Sequence, residues 1–185
     1  MRNTARELVT LPNMLSFLRI ILIPIFIYTY INAETIQDYT FASVIIILSG
    51  LTDLLDGWIA RTFKQITEIG KTLDPIADKL TQAAIAFCLM VQFENMWILV
   101  TLFVFKELFM GINGLILLKR KNKKLDGAMW FGKISTAVFY LTMTLLIAFP
   151  NLDNQTANLL IFITGLFLTL SFVLYVPLFY KMYKE

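Results

Sequence analysis

Six runs of apolar residues follow one another along this 185-residue chain with only short connections between them. They cover about 14–31, 41–62, 70–92, 96–119, 128–149 and 157–179, each near the ~20 residues a helix needs to cross the hydrocarbon layer. The expected fold is an all-α integral membrane protein with six transmembrane helices in a single polytopic domain, residues 1–185. Composition agrees: 58% of residues are hydrophobic and 16% charged, against about 25% charged in a soluble domain. The first run exceeds the ~7–15 residues of a signal-peptide core and is expected to be a retained span. There is no internal repeat and no low-complexity segment.

The basic residues alternate along the chain. Arg2, Arg6 and Arg19 stand at the start, and Arg61, Lys64 and Lys71 lie around the second connection. Lys119, Arg120, Lys121, Lys123 and Lys124 fill the fourth, and Lys181 and Lys184 close the chain. The other connections carry only acids: Glu34 and Asp38, then Glu94, then Asp153. Lys and Arg in short loops mark the cytoplasmic side, so both termini are expected there. Residues 1–12 are expected to form an interfacial segment, with a short helix over Arg2–Thr10.

Two scarcities narrow the chemistry. Cys88 is the single cysteine, which excludes an intramolecular disulfide and suits packing in an apolar run. There is no histidine. Ser-His and Cys-His catalysis, imidazole metal sites and phosphohistidine intermediates are therefore excluded.

Against this background four carboxylates stand out: Asp53, Asp56, Asp74 and Asp78. Ionised side chains within membrane spans are costly and are functional candidates by default. The i, i+3 and i, i+4 spacings put each pair on one helical face, close to the cytoplasmic ends of the second and third runs. Four such groups repel one another unless cations lie between them. The donors are all oxygen, which suits Mg²⁺, with Mn²⁺ or Ca²⁺ as alternatives. Four carboxylates can hold two ions, an arrangement suited to displacement at phosphorus. Gly57, Ala60 and Gly70 leave room for a close helix or a ligand, and Arg61 can fork onto phosphate oxygens. A cation-binding or transport protein is the alternative from another class; its site is usually near the midplane, between repeated halves.

The spacing D-x2-D-G-x2-A-R-x8-G-x3-D-x3-D, carried by Asp53, Asp56, Gly57, Ala60, Arg61, Gly70, Asp74 and Asp78, resembles the signature of the CDP-alcohol phosphotransferase family. With the six-run layout, the resemblance covers nearly the whole chain. It implies transfer of a phosphatidyl group from CDP-diacylglycerol to an alcohol, with release of CMP. It implies that Asp53, Asp56 and Asp74 hold the metals, and that Asp78 ligates the second ion and serves as base on the acceptor hydroxyl. Asp56, Gly57, Ala60, Arg61 and Gly70 would contact the CDP donor. Two Mg²⁺ ions, with Mn²⁺ possible, and a homodimer are implied in the same way. No nucleic-acid partner is expected.

The opening Leu11-Pro12-Asn13, Ser16 and Arg19, followed by Pro24, resembles the phosphatidylglycerophosphate synthase and CMP-forming cardiolipin synthase branch. Asp74-Pro75-Ile76-Ala77-Asp78-Lys79 has that form too. Gly132-Lys133-Ile134-Ser135-Thr136 resembles the family's Gly-Lys-x-x-Thr element. Asn13, Ser16, Arg19, Lys106, Lys133 and Thr136 are the acceptor-facing candidates on this resemblance. Phe105-Lys106-Glu107 departs from the Ala-Arg-Glu usual in phosphatidylglycerophosphate synthases, exchanging a bidentate fork for a point charge. Glycerol 3-phosphate is the expected acceptor; phosphatidylglycerol and an inositol phosphate are the alternatives. The expected location is a bacterial cell membrane, with the active site at the cytoplasmic face.

Overall fold

The computed structural model describes residues 10–65, 67, 69–121 and 129–184, without the side chains of Lys71 and Lys121. Among these residues six helices follow in order: α1 (Leu11–Ile31), α2 (Ile36–Thr62), α3 (Gly70–Leu89), α4 (Met96–Lys121), α5 (Trp130–Ala148) and α6 (Asn154–Lys184). No strand occurs among them. Five helices are long and apolar enough to cross a membrane: α1, α2, α4, α5 and α6. The exception, α3, carries Lys71, Asp74, Asp78 and Lys79 in its first half. The protein is an all-helical integral membrane protein. The helix expected over Arg2–Thr10, and the basic residues Arg2, Arg6, Lys123 and Lys124, lie outside the described residues; Leu11 and Pro12 form the first turn of α1.

Local chemistry sets the helix ends beyond the apolar runs. Pro12 suits a first turn, where its missing N–H has no helical partner to lose. Helix α2 begins at Ile36 rather than near residue 41 because Thr35 and Asp38 form a capping box: the Thr35 N–H donates to Asp38 Oδ2 at 2.8 Å, and the Asp38 N–H donates to Thr35 Oγ1 at 3.3 Å. Helix α6 begins at Asn154 because Asp153 Oδ2 accepts from the Thr156 N–H at 2.9 Å. That bond holds the Asp153 carboxyl below its usual pKa.

Just past the C-cap of α2, Phe63, stands Lys64, a non-glycine residue at φ 53°. The following Gln65 N–H returns to Ala60 O at 3.0 Å. A left-handed lysine carries a steric penalty that glycine avoids. Lys64→Gly is expected to stabilise the protein by about 1 kcal/mol, read as a raised unfolding midpoint in detergent; a lowered midpoint would refute this.

Over the first turns of α1 the burial pattern is inverted relative to a soluble bundle. Helix α1 turns Asn13, Ser16 and Arg19 inward and leaves Leu11, Met14, Phe17, Leu18 and Ile21 outside. Lipid tails solvate leucine as well as a protein core does, so polar groups and small residues take the inside.

The chain divides into two compact units, one drawn from Met1–Leu89 and Thr144–Asn151, the other from Met90–Met143 and Leu152–Glu185. In the first, α1 packs along both α2 and α3, which meet each other over only a short stretch. Buried Cys88 is a free thiol there. In the second, α4 packs on α6 through Phe109, whose ring meets Phe179 edge-on at 5.7 Å, and through Tyr183, which donates to Asn113 Oδ1 at 3.0 Å. Thr164 donates to Thr142 at 2.8 Å, tying α6 to α5.

Candidate active site

The site is organised by α1, whose polar face fills the seam along α2 and α3. Asn13, Ser16 and Arg19 recur every three residues on that face, and all three are buried. Each meets a different part of the carboxylate helices.

At the deepest of these positions the Arg19 guanidinium meets two of the four aspartates. Its Nη1 lies 2.7 Å from Asp53 Oδ1, and its Nη2 donates to Asp56 Oδ2. Arg19 is 0% exposed and Asp56 3%, whereas the Asp53 side chain is 43% exposed. The pair with Asp56 therefore belongs to the interior, and the pair with Asp53 faces outward. Removing one partner of a buried ion pair leaves the other charge unmatched, at a cost of about 3–5 kcal/mol.

One turn earlier on α1, the Ser16 hydroxyl donates to Asp74 Oδ1 and lies 3.2 Å from Pro12 O. Asp74 and Asp53 are both within electrostatic reach of Asp56. Three of the four aspartates thus converge on α1. Asp78, one turn along α3, accepts from Gln82 Nε2 at 3.2 Å on both carboxylate oxygens, and Lys79 Nζ stands 3.8 Å from its Oδ2.

At the start of α3 the Gly70 N–H donates to Thr67 Oγ1 at 2.9 Å, a helix-capping bond. Asn13 brackets that cap: its Nδ2 donates to Thr67 Oγ1 at 3.1 Å, and the Thr67 hydroxyl lies 3.2 Å from Asn13 Oδ1. A Cβ on Gly70 would stand 2.6 Å from Asn13 Oδ1 and 3.0 Å from Thr67 Oγ1. The room that Gly70 leaves is here taken by the Asn13 amide. Arg61 lies exposed and folded back along α2, its guanidinium 3.6 Å from where a Gly57 Cβ would sit. Ala60 is half-buried on the same helix. A shallow open depression of about 400 Å³, lined by Ile69, Thr72, Leu73 and Ile76, flanks the first turns of α3.

Lys106, Lys133 and Thr136 belong to the second unit. Lys106 is buried and pairs with Glu107 at 3.2 Å. Lys133 is exposed and Thr136 half-buried. Just before Lys133, Gly132 has a packing reason of its own, because the Tyr175 hydroxyl occupies the place of a Gly132 Cβ. That hydroxyl accepts from the Met129 N–H at 3.3 Å, and the Tyr175 ring packs with Leu117 and Phe179. Gly132→Ala is expected to cost about 1–3 kcal/mol by overpacking, seen as a lowered melting temperature, whereas Lys133→Ala leaves the melt unchanged. Equal melts for both variants would refute the packing role.

Whether these residues suit divalent ions is a question of donors and charge. Asp53, Asp56 and Asp74 offer hard oxygen ligands, and a single buried guanidinium does not neutralise them. Two nitrogens of that guanidinium, Nε and Nη1, lack a hydrogen-bond acceptor among the described residues. The donor set therefore fits a hard cation and has charge to spare for one. As the side chains stand, however, they close on Arg19 and Ser16, and no three carboxylate or thiol groups among the described residues surround a common ion position.

Sequence reasoning missed Thr67 and Gln82. Both had a local signal: a threonine three residues before the helix-starting Gly70, and an amide one turn from Asp78.

Comparison with known proteins joins this geometry to a family. The CDP-alcohol phosphatidyltransferase model matches residues 9–177. A CDP-diacylglycerol–glycerol-3-phosphate 3-phosphatidyltransferase of Escherichia coli (strain K12) is 29% identical over 164 residues, covering 86% of this chain and 88% of that protein. The proteins of the same name from Shigella sonnei (strain Ss046) and Shigella flexneri serotype 5b (strain 8401) are 29% and 28% identical over the same shares. With a match that spans α1 to α5 and most of α6, and includes every aspartate of the site, the chain belongs to the CDP-alcohol phosphatidyltransferase family.

Proposed function

We propose that this protein transfers the phosphatidyl group of CDP-diacylglycerol to glycerol 3-phosphate and releases CMP, in a divalent-metal-dependent reaction. Support for the acceptor comes from the named activity of the Escherichia and Shigella relatives and from the opening of α1. The observation that carries the reaction class is the convergence of Asp53, Asp56 and Asp74 on one buried face.

In this reading Asp53, Asp56, Asp74 and Asp78 hold two Mg²⁺ ions. When bound, these supply positive charge to the entering and leaving oxygens at phosphorus. Asp78 takes the proton of the acceptor hydroxyl as that oxygen attacks the phosphorus next to the lipid. Gln82 fixes the rotamer of Asp78 for this step. Arg61, exposed beside Gly57, forks onto the cytidine diphosphate and offsets charge on the departing CMP. Asn13, Ser16, Lys106, Lys133 and Thr136 serve acceptor binding.

The proposal includes the wider arrangement: α3 as a sixth span in a single domain, both termini and the site at the cytoplasmic face of a bacterial membrane, and a homodimer. Acyl chains then stay in lipid while cytidine and a water-soluble acceptor enter from water.

The test is CMP release from CDP-diacylglycerol by purified protein with Mg²⁺ and a panel of labelled acceptors. Glycerol 3-phosphate is expected to be consumed. Product from phosphatidylglycerol or an inositol phosphate instead would reassign the acceptor, and no CMP release with any of them would remove the reaction. Lys106→Ala and Lys133→Ala are each expected to raise the KM for glycerol 3-phosphate about tenfold, the scale of one lost charge-assisted bond. An unchanged KM in both would clear them of acceptor binding.

A further inference from the structure

We propose that Arg19 is an exchangeable counter-cation of the carboxylate site: its guanidinium neutralises Asp53 and Asp56 in the metal-free protein and must release Asp56 before both can ligate an ion. The inference rests on the metal-dependent reading above and adds to it a residue that sets metal affinity from the opposing helix.

Three features of the site point this way. First, Arg19, itself 0% exposed, contacts the two carboxylates that would otherwise repel each other, and its contact with Asp56, 3% exposed, is shielded from water. A cation is needed there in every state of the protein, and the chain supplies its own. Second, the pairing is incomplete. Nη1 is close to Asp53 but out of hydrogen-bond alignment, and Nε has no acceptor among the described residues. A buried guanidinium placed for structure alone would have its donors matched. Third, the neighbouring contact has the same releasable form. Ser16 donates to Asp74, yet Pro12 O lies 3.2 Å from the same hydroxyl. Rotating the hydroxyl to Pro12 frees Asp74 without orphaning a donor. The polar face of α1 thus parks the three carboxylates rather than locking them.

Competition between a resident guanidinium and an incoming ion lowers the apparent affinity for the ion, because its binding energy must also displace the resident pair. A purely structural arginine predicts the opposite: its removal would loosen the site and weaken metal binding. The sign of the change therefore decides between the two.

The experiment measures Mn²⁺ binding to wild-type, Arg19→Met, Arg19→Lys and Asp56→Asn proteins in detergent, without nucleotide or lipid substrate, by electron paramagnetic resonance of free Mn²⁺. Melting temperatures are taken with and without Mn²⁺. Arg19→Met is expected to bind Mn²⁺ about tenfold more tightly than wild type, the scale of one lost charge-assisted contact. It is also expected to melt lower without metal and to gain more from Mn²⁺. Arg19→Lys, which keeps the charge but cannot fork across two carboxylates, is expected to fall between and remains the test if Arg19→Met does not fold. Asp56→Asn is expected to bind more weakly than all of them. Unchanged or weaker Mn²⁺ binding in the Arg19 variants, with wild-type binding intact, overturns the counter-cation role alone. Absence of Mn²⁺ binding in wild type and every variant overturns the metal reading together with it.

Discussion

Asp78→Asn is expected to reduce CMP release by about 10²–10⁴-fold, the range a positioned general base contributes, while CDP-diacylglycerol still binds. Asparagine keeps the shape of the side chain and one acceptor oxygen for Gln82, so the change chiefly removes the proton acceptor. On the proposed reading, Asp56 and Arg61 remain to engage the donor. The measurement is single-turnover CMP release beside a donor-binding titration. If excess Mn²⁺ restores turnover, the lost function was ligation rather than proton transfer. Turnover retained at the Mg²⁺ concentration that serves the wild type would take Asp78 out of the base role. Gln82→Leu gives a graded companion: the carboxylate stays but loses the amide that donates to both its oxygens at 3.2 Å. Its turnover should lie between wild type and Asp78→Asn.

That companion variant marks where sequence and structure part. The helices were legible because hydropathy in lipid is a one-body property: each apolar run announces its own helix. Ends set by a single side chain were less so. The Thr35–Asp38 capping box carries α2 back to Ile36, ahead of its apolar run. The least apolar of the six helices is α3, and its charged side chains are the reason. Lys71, Asp74, Asp78 and Lys79 sit in its first half, so the charges that mark the site also remove the helix from a length-and-apolarity criterion.

The candidate site was legible as a residue set, because fixed gaps between aspartates survive without knowledge of packing. Its wiring was not. Asn13, Ser16 and Arg19 read from sequence as acceptor-facing, since their spacing shows only that they share a face. Which helix that face meets is a tertiary fact. It meets Thr67, Asp74, Asp53 and Asp56, so these three residues also position the carboxylates. Gly70 shows the same limit. Sequence indicates that a small residue is wanted there, whereas the neighbour that wants it small, the Asn13 amide, appears only in three dimensions.

Chelation of divalent cations is expected to bring transfer to background, and Mg²⁺ or Mn²⁺ to restore it. The reason lies in the charge of the site. Asp53, Asp56 and Asp74 face one buried guanidinium, so the unaided pocket is net negative where, on the proposed reading, a diphosphate must enter and CMP must leave. Arg61, exposed at the end of α2, cannot offset this alone. Charge stabilisation of several kcal/mol is the usual scale for a metal-assisted displacement, and at 1.36 kcal/mol per tenfold its loss corresponds to about 10³-fold or more in rate. Asp56→Ala should reproduce the chelated state even with metal in excess, because it removes the most buried of the ligands. Asp78→Asn also lowers turnover, but its residual activity should still respond to metal, since it leaves the three carboxylates on the α1 face intact. Full activity in excess chelator, or metal-dependent activity in Asp56→Ala equal to wild type, would refute the assignment of these carboxylates to metal.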